Sequence, residues 1–266
     1  FVLLILIGLA SIITVASIIF IIIYILVNGI PNLTTDLFSL HYNSKNQSML
    51  PSIFNTVFIT FLTLLIAVPI GIFSAVYLVE YAKKGSKLVK VIRVTTETLA
   101  GIPSIVFGLF GFLAFVIALG WGYSMIAGVL TLVMMVLPTI IRTTEEALLA
   151  VPNSYREGSF GLGAGKIRTI FKIIVPTAIP GILSGVILAI GRIVGETAAL
   201  IYTSGTVAET ATSLTDSART LSVHLYCLLS EGLFTEQAYA TAVILLLLVV
   251  GINALSNFIA KKLAKK

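Results

Sequence analysis

Two charged residues, Arg192 and Glu196, stand inside an otherwise apolar stretch at residues 179–202. An unpaired arginine within a bilayer costs on the order of 3 kcal/mol on insertion scales, so a charge at that depth needs a partner or a function. Residues four apart in a helix share one face, which allows two interpretations. In the first, the two side chains neutralise each other and lock a helix bundle. In the second, Arg192 faces a translocation path and binds an anion.

Arginine suits the second interpretation because its planar guanidinium donates two parallel hydrogen bonds to phosphate oxygens and keeps its charge when partly buried. The two interpretations can also alternate. Glu196 would then neutralise Arg192 while the path is empty and release it to a passing anion. Together with the neighbouring Thr197, these residues form the candidate substrate path.

A second polar segment, residues 142–178, separates two apolar stretches. Ser154 and Glu157 have the spacing of a capping box, in which two side chains bond the free N–H groups of a helix start. This pattern predicts a helix over residues 155–162. The helix is expected to stop at Gly163, where a left-handed cap is easily adopted.

Residues 166–174 predict a second, amphipathic helix in the same segment, followed by Pro176 and Pro180 before the next apolar stretch. The two helices would form a short helix–turn–helix along one face of the membrane. Spacing alone leaves two roles open for it: docking another protein, or resting on anionic lipid.

The composition identifies the elements that position these residues as membrane-spanning helices. The chain is 58% hydrophobic and 11% charged, whereas soluble domains carry about 25% charged residues. A helical span needs about 20 apolar residues. We therefore predict one all-α transmembrane domain over residues 1–266, with the polar segment between spans four and five. Its six spans are residues 2–27, 56–79, 99–119, 123–141, 179–202 and 240–259.

Lysine and arginine fall mainly on one side of this six-span arrangement, which predicts that this side and both termini are cytoplasmic. The net charge of +6 then reflects membrane topology, and no nucleic-acid partner is expected. The basic residues on the predicted cytoplasmic side are Lys83, Lys84, Lys87, Lys90, Arg93, Arg142, Arg156, Lys166, Arg168, Lys172, Lys261, Lys262, Lys265 and Lys266.

The run Glu157-Gly-Ser, followed after three intervening residues by Gly163 and later by Ile-Val-Pro176, resembles the EAA loop of binding-protein-dependent ABC importer permeases. The usual Glu-Ala-Ala appears here as Glu-Gly-Ser. The resemblance implies that this loop forms a coupling helix docked in a groove of a separate ATPase subunit. The implied ATPase-coupling residues are Ser154, Arg156, Glu157, Gly158, Ser159 and Gly163.

Residues 97–111 and 191–200 resemble the third and fifth spans of phosphate-specific permeases, and residues 141–148 and 197–200 are closer to the PstA type than to the PstC type. The resemblance covers nearly the whole chain from residue 55 onward. It implies a bacterial inner-membrane subunit that forms half of a path for inorganic phosphate. The implied partners are a homologous PstC-like permease, a PstB-like ATPase dimer that binds ATP and magnesium, and an external PstS-like phosphate-binding protein.

The residues offer no catalytic site, no metal site and no cofactor site. The nearest approach to a phosphate-cradling loop, residues 160–167, has Phe160 where the first glycine is required and no hydroxyl after Lys166. Two histidines and one cysteine do not make a zinc site. Two alternatives stay open: a permease of the same architecture for sulfate or molybdate, and an ion-driven secondary transporter. The latter folds often contain inverted repeats, which this sequence does not show.

Overall fold

The computed structural model describes residues 2–83 and 85–264. Three of the basic residues on the predicted cytoplasmic side lie outside these ranges: Lys84, Lys265 and Lys266. The described part consists of helices and their connections, with no β-strand, and the predicted all-α class is confirmed. The helices are α1 (Val2–Gly29), α2 (Leu50–Val76), α3 (Lys87–Ala100), α4 (Ser104–Gly111), α5 (Met125–Leu149), α6 (Asn153–Gly161), α7 (Lys166–Thr169), α8 (Val175–Val194), α9 (Ala198–Thr203), α10 (Leu221–Glu231) and α11 (Thr235–Ala264).

Five stretches of the described chain are long and apolar enough to cross a membrane as single helices, and there are six if a pair of helices bent by 102° counts as one span. Two of the five include π-helical turns: α2 continues through Tyr77–Tyr81, and α7 joins α8 through Ile170–Ile174. The single spans are Leu3–Asn32, Leu50–Tyr81, Met125–Leu149, Lys166–Val194 and Thr235–Phe258.

The third span differs from the prediction of one helix over residues 99–119. The chain bends by 102° between α3 and the stretch Ser104–Ala118, which is α4 with its π-helical continuation. Pro103 lacks an N–H group and disfavours the helical conformation of the residue before it, so the helix is interrupted there. Only the second arm crosses the bundle, and α3 lies across its end.

The polar segment is also shorter than predicted. α5 continues to Leu149, so residues 142–149 belong to the fourth span rather than to the loop. Charged residues are compatible with this helix end because they pair: Arg142 with Glu146 at 3.0 Å within the helix, and Arg93 with Glu145 across to α3.

The predicted second surface helix, residues 166–174, is instead the first part of the fifth span. Pro176 does not interrupt it, because the π-helical turn Ile170–Ile174 lies directly before α8, and such local changes of the helix accommodate a missing N–H group. The fifth span therefore begins 13 residues earlier than predicted, at Lys166 instead of residue 179. It also ends earlier, at Val194 instead of residue 202.

α5 forms the centre of the bundle, packed between α2 and α8. Small residues bring the helices close, as small-residue packing in membranes requires. A Cβ added at Gly185 of α8 would lie 2.7 Å from Cβ of Thr143, and one at Gly181 would meet Cβ of Ala147 at 2.6 Å. Both glycines therefore serve close contact with α5.

The opposite end of the bundle from α6 is closed by a cap built from α10 and the connection before it. Asn55 of α2 organises this cap: its side chain bonds the backbones of Glu209, Ala211 and Arg219. Thr56 accepts a 2.8 Å hydrogen bond from the N–H of Leu221, at the start of α10. One face of α10 is buried inside the molecule.

His224 of α10 makes the cap sensitive to acid. It is fully buried, and Nη1 of Arg219 donates to its Nδ1 at 3.3 Å, which requires that nitrogen to be unprotonated. Burial, and secondly the charge of Arg219, lowers the pKa of His224 to about 4, against about 6.5 in an unfolded chain. Between these values only the unfolded chain binds the proton, so the free energy of unfolding falls as the pH drops from 6.5 towards 4.

We therefore expect the thermal unfolding midpoint of the purified protein to fall between pH 7 and pH 4.5, and the His224→Gln variant to lose part of this dependence. His41→Gln is the matched control, because His41 is exposed and should leave the dependence unchanged. A pH dependence that is identical in the native protein and in His224→Gln would contradict the assignment.

Candidate functional site

Arg192 lines a cavity of about 500 Å³ between α5, α8 and α11. Thr139 of α5 lies about 21 Å along the helix from its start at Met125, at 1.5 Å per residue, which is near the middle of α5. The cavity is therefore at middle depth in the bundle. Its lining residues are Thr139, Ile187, Leu188, Gly191, Arg192 and Asn253.

The predicted helical pair of Arg192 and Glu196 is wrong. α8 ends at Val194, and Glu196 lies in the break before α9. Its Oε1 accepts a 3.1 Å hydrogen bond from the N–H of Ala199, and its carbonyl accepts one from the Ser222 hydroxyl at 2.6 Å. Ion pairs in the described part of the chain involve neither residue. Both hypotheses in which Glu196 neutralises Arg192, either permanently or only while the path is empty, required a contact between the two side chains that the described structure does not contain.

Thr197, the third predicted path residue, is partly exposed at the start of α9 and is not among the cavity residues. Thr139 and Asn253, which the sequence analysis missed, lie there with Arg192 instead. Within the described structure, the Asn253 side-chain oxygen is buried and has no hydrogen-bond partner. A polar amide within the apolar run 240–259 was the available signal.

The helix of the polar segment is α6. The predicted capping box at its start is wrong, and the predicted stop at Gly163 is confirmed. α6 begins after Pro152, its cap makes no side-chain hydrogen bond, and Ser154 lies within the first turn rather than capping it. Pro152 is the N-cap, with the non-helical φ −55° and ψ 139° that are usual for the residue before the first turn. At the end, Gly163 has φ +83° and its N–H donates to the carbonyl of Phe160 at 2.9 Å.

Arg156 holds α6 against the two central helices. Its Nη2 and Nε donate to Oε1 of Glu80 at 2.7 and 3.0 Å. Nη2 also donates to the carbonyl of Leu148 at 3.1 Å, and Nη1 donates to that of Val151 at 2.9 Å. The Leu148 carbonyl is in the last turn of α5, and the Val151 carbonyl lies two residues beyond the end of that helix. Arg156 therefore faces into the chain.

Of the other predicted coupling residues, Ser159 is buried and bonds the Thr169 hydroxyl at 2.8 Å. Ser154, Glu157, Gly158 and Gly163 are exposed. A Cβ added at Gly158 would meet no atom within 4 Å, so internal packing does not require glycine there.

The exposed surface around α6 is unusually apolar for a polar segment. Leu162 is 91% exposed and Ile167 is 68% exposed, and Tyr155 and Phe160 are about half exposed. Contiguous exposed apolar side chains mark contact sites for other proteins. We call these four residues, with Glu157 and Gly158, the α6 surface.

Loss of the Arg156 clamp is expected to destabilise the protein. Arg156→Gln would leave the Glu80 carboxylate, 10% exposed, without its charged partner. Breaking such a buried pair costs about 3 kcal/mol of unfolding free energy, and the thermal unfolding midpoint should fall.

Arg142→Gln is the control for this variant. It removes the Arg142–Glu146 pair, whose side chains are more than half exposed, and exposed pairs contribute less than about 1 kcal/mol. Equal effects of Arg156→Gln and Arg142→Gln on the midpoint would show that Arg156 is not a structural clamp.

Comparison with known proteins identifies the family of this chain. The family described as "binding-protein-dependent transport system inner membrane component" matches residues 67–266. A probable ABC transporter permease protein of Bacillus subtilis, YqgI, is 32% identical over 277 residues, which cover 97% of this chain and 94% of that protein.

Two further relatives match in part. The phosphate transport system permease protein PstA 1 of Mycobacterium tuberculosis is 45% identical over 140 residues, 53% of this chain and 45% of that protein. PstA of Xylella fastidiosa is 36% identical over 178 residues, 66% of this chain and 62% of that protein.

Two solved structures share the fold at low sequence identity. A chain of a bacterial alginate ABC transporter has a TM-score of 0.71 and 16% identity, with 97% of this chain and 96% of that chain covered. A chain of the MetNI methionine ABC transporter has a TM-score of 0.63 and 20% identity, with 80% and 93% covered. This chain belongs to the family of binding-protein-dependent transport system inner membrane components, the permease subunits of ABC transporters.

Proposed function

We propose that this chain is the permease subunit of an ATP-driven importer for inorganic phosphate, in which it forms half of the translocation path. The observation that carries the proposal is Arg192, placed in a mid-depth cavity with no acidic residue in its lining. The similarity to PstA proteins supports phosphate as the anion. ATP and magnesium would be bound by a separate ATPase subunit.

The lining of the cavity fits phosphate better than sulfate. Phosphate at neutral pH keeps at least one proton, whereas sulfate has none. Arg192 and the Thr139 hydroxyl can donate to the anionic oxygens, and the unpartnered oxygen of Asn253 can accept from the remaining P–OH group. With sulfate that buried oxygen would stay unpaired, which is the basis of strong discrimination.

Glu196 takes a positioning role in this proposal. Its carboxylate begins α9 by accepting from Ala199, so it fixes the break that directly follows Arg192. Thr197, partly exposed in the same break, is proposed to line the path beyond the cavity.

The α6 surface is proposed to be the site of ATPase docking, on the cytoplasmic side with both chain termini. Arg156 joins α6 to the carbonyls at the end of α5, and Thr139 of the cavity lies about 14 Å further along the same helix. A displacement of α6 by the ATPase would thus be transmitted to the cavity through one rigid helix. A homologous permease and an external binding protein would complete the importer.

Replacement of Arg192 by glutamine should remove most transport. We expect ATP-dependent phosphate movement to fall about ten- to a hundredfold, the equivalent of a charged hydrogen bond of 1.5–3 kcal/mol. The assay uses vesicles that contain this chain, the second permease and the ATPase. Binding protein and labelled phosphate are enclosed, and ATP is added at the cytoplasmic face.

Glu196→Gln is the matched control, because an amide oxygen can still accept the Ala199 N–H, and its transport should stay near the native level. The ATPase must remain bound in both variants. Undiminished transport in Arg192→Gln would contradict the assignment. Equal movement of sulfate or molybdate, each offered with its own binding protein, would favour the alternative of another oxyanion.

The α6 surface gives a separate prediction. Leu162→Asp places a charge on the most exposed apolar side chain of this surface and should weaken ATPase binding at least tenfold in a pull-down titration. Leu233→Asp is the control, because Leu233 is 80% exposed at the other end of the bundle. Equal binding by the two variants would place the ATPase elsewhere.

A further inference from the structure

Helix α3 lies across the end of the bundle that carries α6. It meets the crossing stretch Ser104–Ala118 at 102°. Its Arg93 contacts Glu145 in the last turns of α5, close to the carbonyls that bind Arg156. The helix is therefore placed in the plane of the membrane rather than through it.

The two faces of α3 differ in their surroundings. Val89 is buried against the bundle, and Arg93 on the same side is paired with Glu145. On the other side Leu88, Val91 and Val94 are each 56–60% exposed and have no cover in the described chain. Half of this amphipathic helix thus remains without a partner.

The uncovered side contains a shallow cleft of about 380 Å³, in which lysine and valine side chains alternate. It is lined by Lys87, Lys90, Val91, Val94 and Thr95. Two ammonium groups beside an apolar floor are complementary to a molecule with a negative head and a hydrocarbon tail. We propose that α3 is a binding site for an anionic phospholipid of the adjacent leaflet.

The length of the following span favours lipid over a protein occupant. Ser104–Ala118 has 15 residues, which is about 22 Å at 1.5 Å per residue, whereas the hydrocarbon core is about 30 Å thick. The inner end of this span, and α3 with it, must therefore lie within the membrane boundary. At that depth, apolar side chains enter the acyl region while lysines extend to the headgroups.

The positive charge of the α3 cleft determines which phospholipids it binds best. Lys87 and Lys90 both line the cleft and make no ion pair in the described chain, whereas the charge of Arg93 is neutralised by Glu145. Each lysine near a surface favours anionic lipid by roughly fivefold. The site should thus prefer phosphatidylglycerol or cardiolipin to phosphatidylcholine.

The test measures lipid contact directly, without a transport readout. The single tryptophan, Trp121, is replaced by Phe, and Val91→Trp places a new tryptophan in the cleft. The importer, assembled with its ATPase and second permease, is reconstituted in vesicles of phosphatidylcholine with 0 to about 50% phosphatidylglycerol. Either lipid is brominated near its headgroup, and the quenching of tryptophan fluorescence is recorded.

We expect quenching by both lipids and a several-fold higher relative association constant for phosphatidylglycerol. The double variant Lys87→Gln, Lys90→Gln should lower this preference to near unity while tryptophan remains quenched. Lys45→Gln, in the connection between α1 and α2, is the control and should keep the preference.

Three outcomes would overturn the proposal. They are the absence of quenching, the absence of any preference for the anionic lipid, and a preference that persists in the double variant. Quenching of the isolated chain that disappears in the assembled importer would also overturn it, since a protein would then cover α3. An unchanged thermal midpoint in the double variant shows that its fold is intact.

Discussion

The hydrogen bonds of Arg156 are the interaction on which the arrangement of this protein depends. A helix that ends within a bundle leaves carbonyl groups without partners, and these are costly when water is excluded. One guanidinium satisfies two carbonyls at the end of α5 and the carboxylate of Glu80 at the end of α2. It therefore fixes α6 relative to both central helices at once. The apolar α6 surface is exposed because this polar side of α6 faces inward.

A second polar anchor, at the other end of α2, complements this clamp. Asn55 and Thr56 bond the backbone of the cap, so α2 and α5 connect a fixed point at each end of the bundle. Between these points the packing is apolar, with α5 at the centre. Helices rather than loops therefore connect the two ends of the bundle, as the proposed coupling requires.

The sequence predicted the helical class and the five single membrane spans because about 20 apolar residues are needed for each span, and this requirement is local. It did not predict the interruption at Pro103, because hydropathy averages over a break of three residues. It also did not predict the partners of Arg156 and Glu196. Glu80 is 76 residues from Arg156, and Ser222 is 26 residues from Glu196. These contacts are set by tertiary packing, which spacing along one helix cannot reveal.

The error about Glu196 changes the chemistry expected of Arg192. A pair at positions i and i+4 assumed a continuous helix, but α8 ends two residues after Arg192. The C-terminal end of a helix has a partial negative charge of about half an electron, which stabilises a cation in its last turn. The helix end can thus hold Arg192 without a carboxylate. In the proposed importer, an anion that enters the cavity would compete with a weak dipole rather than with a full negative charge, so it would bind the guanidinium and leave again.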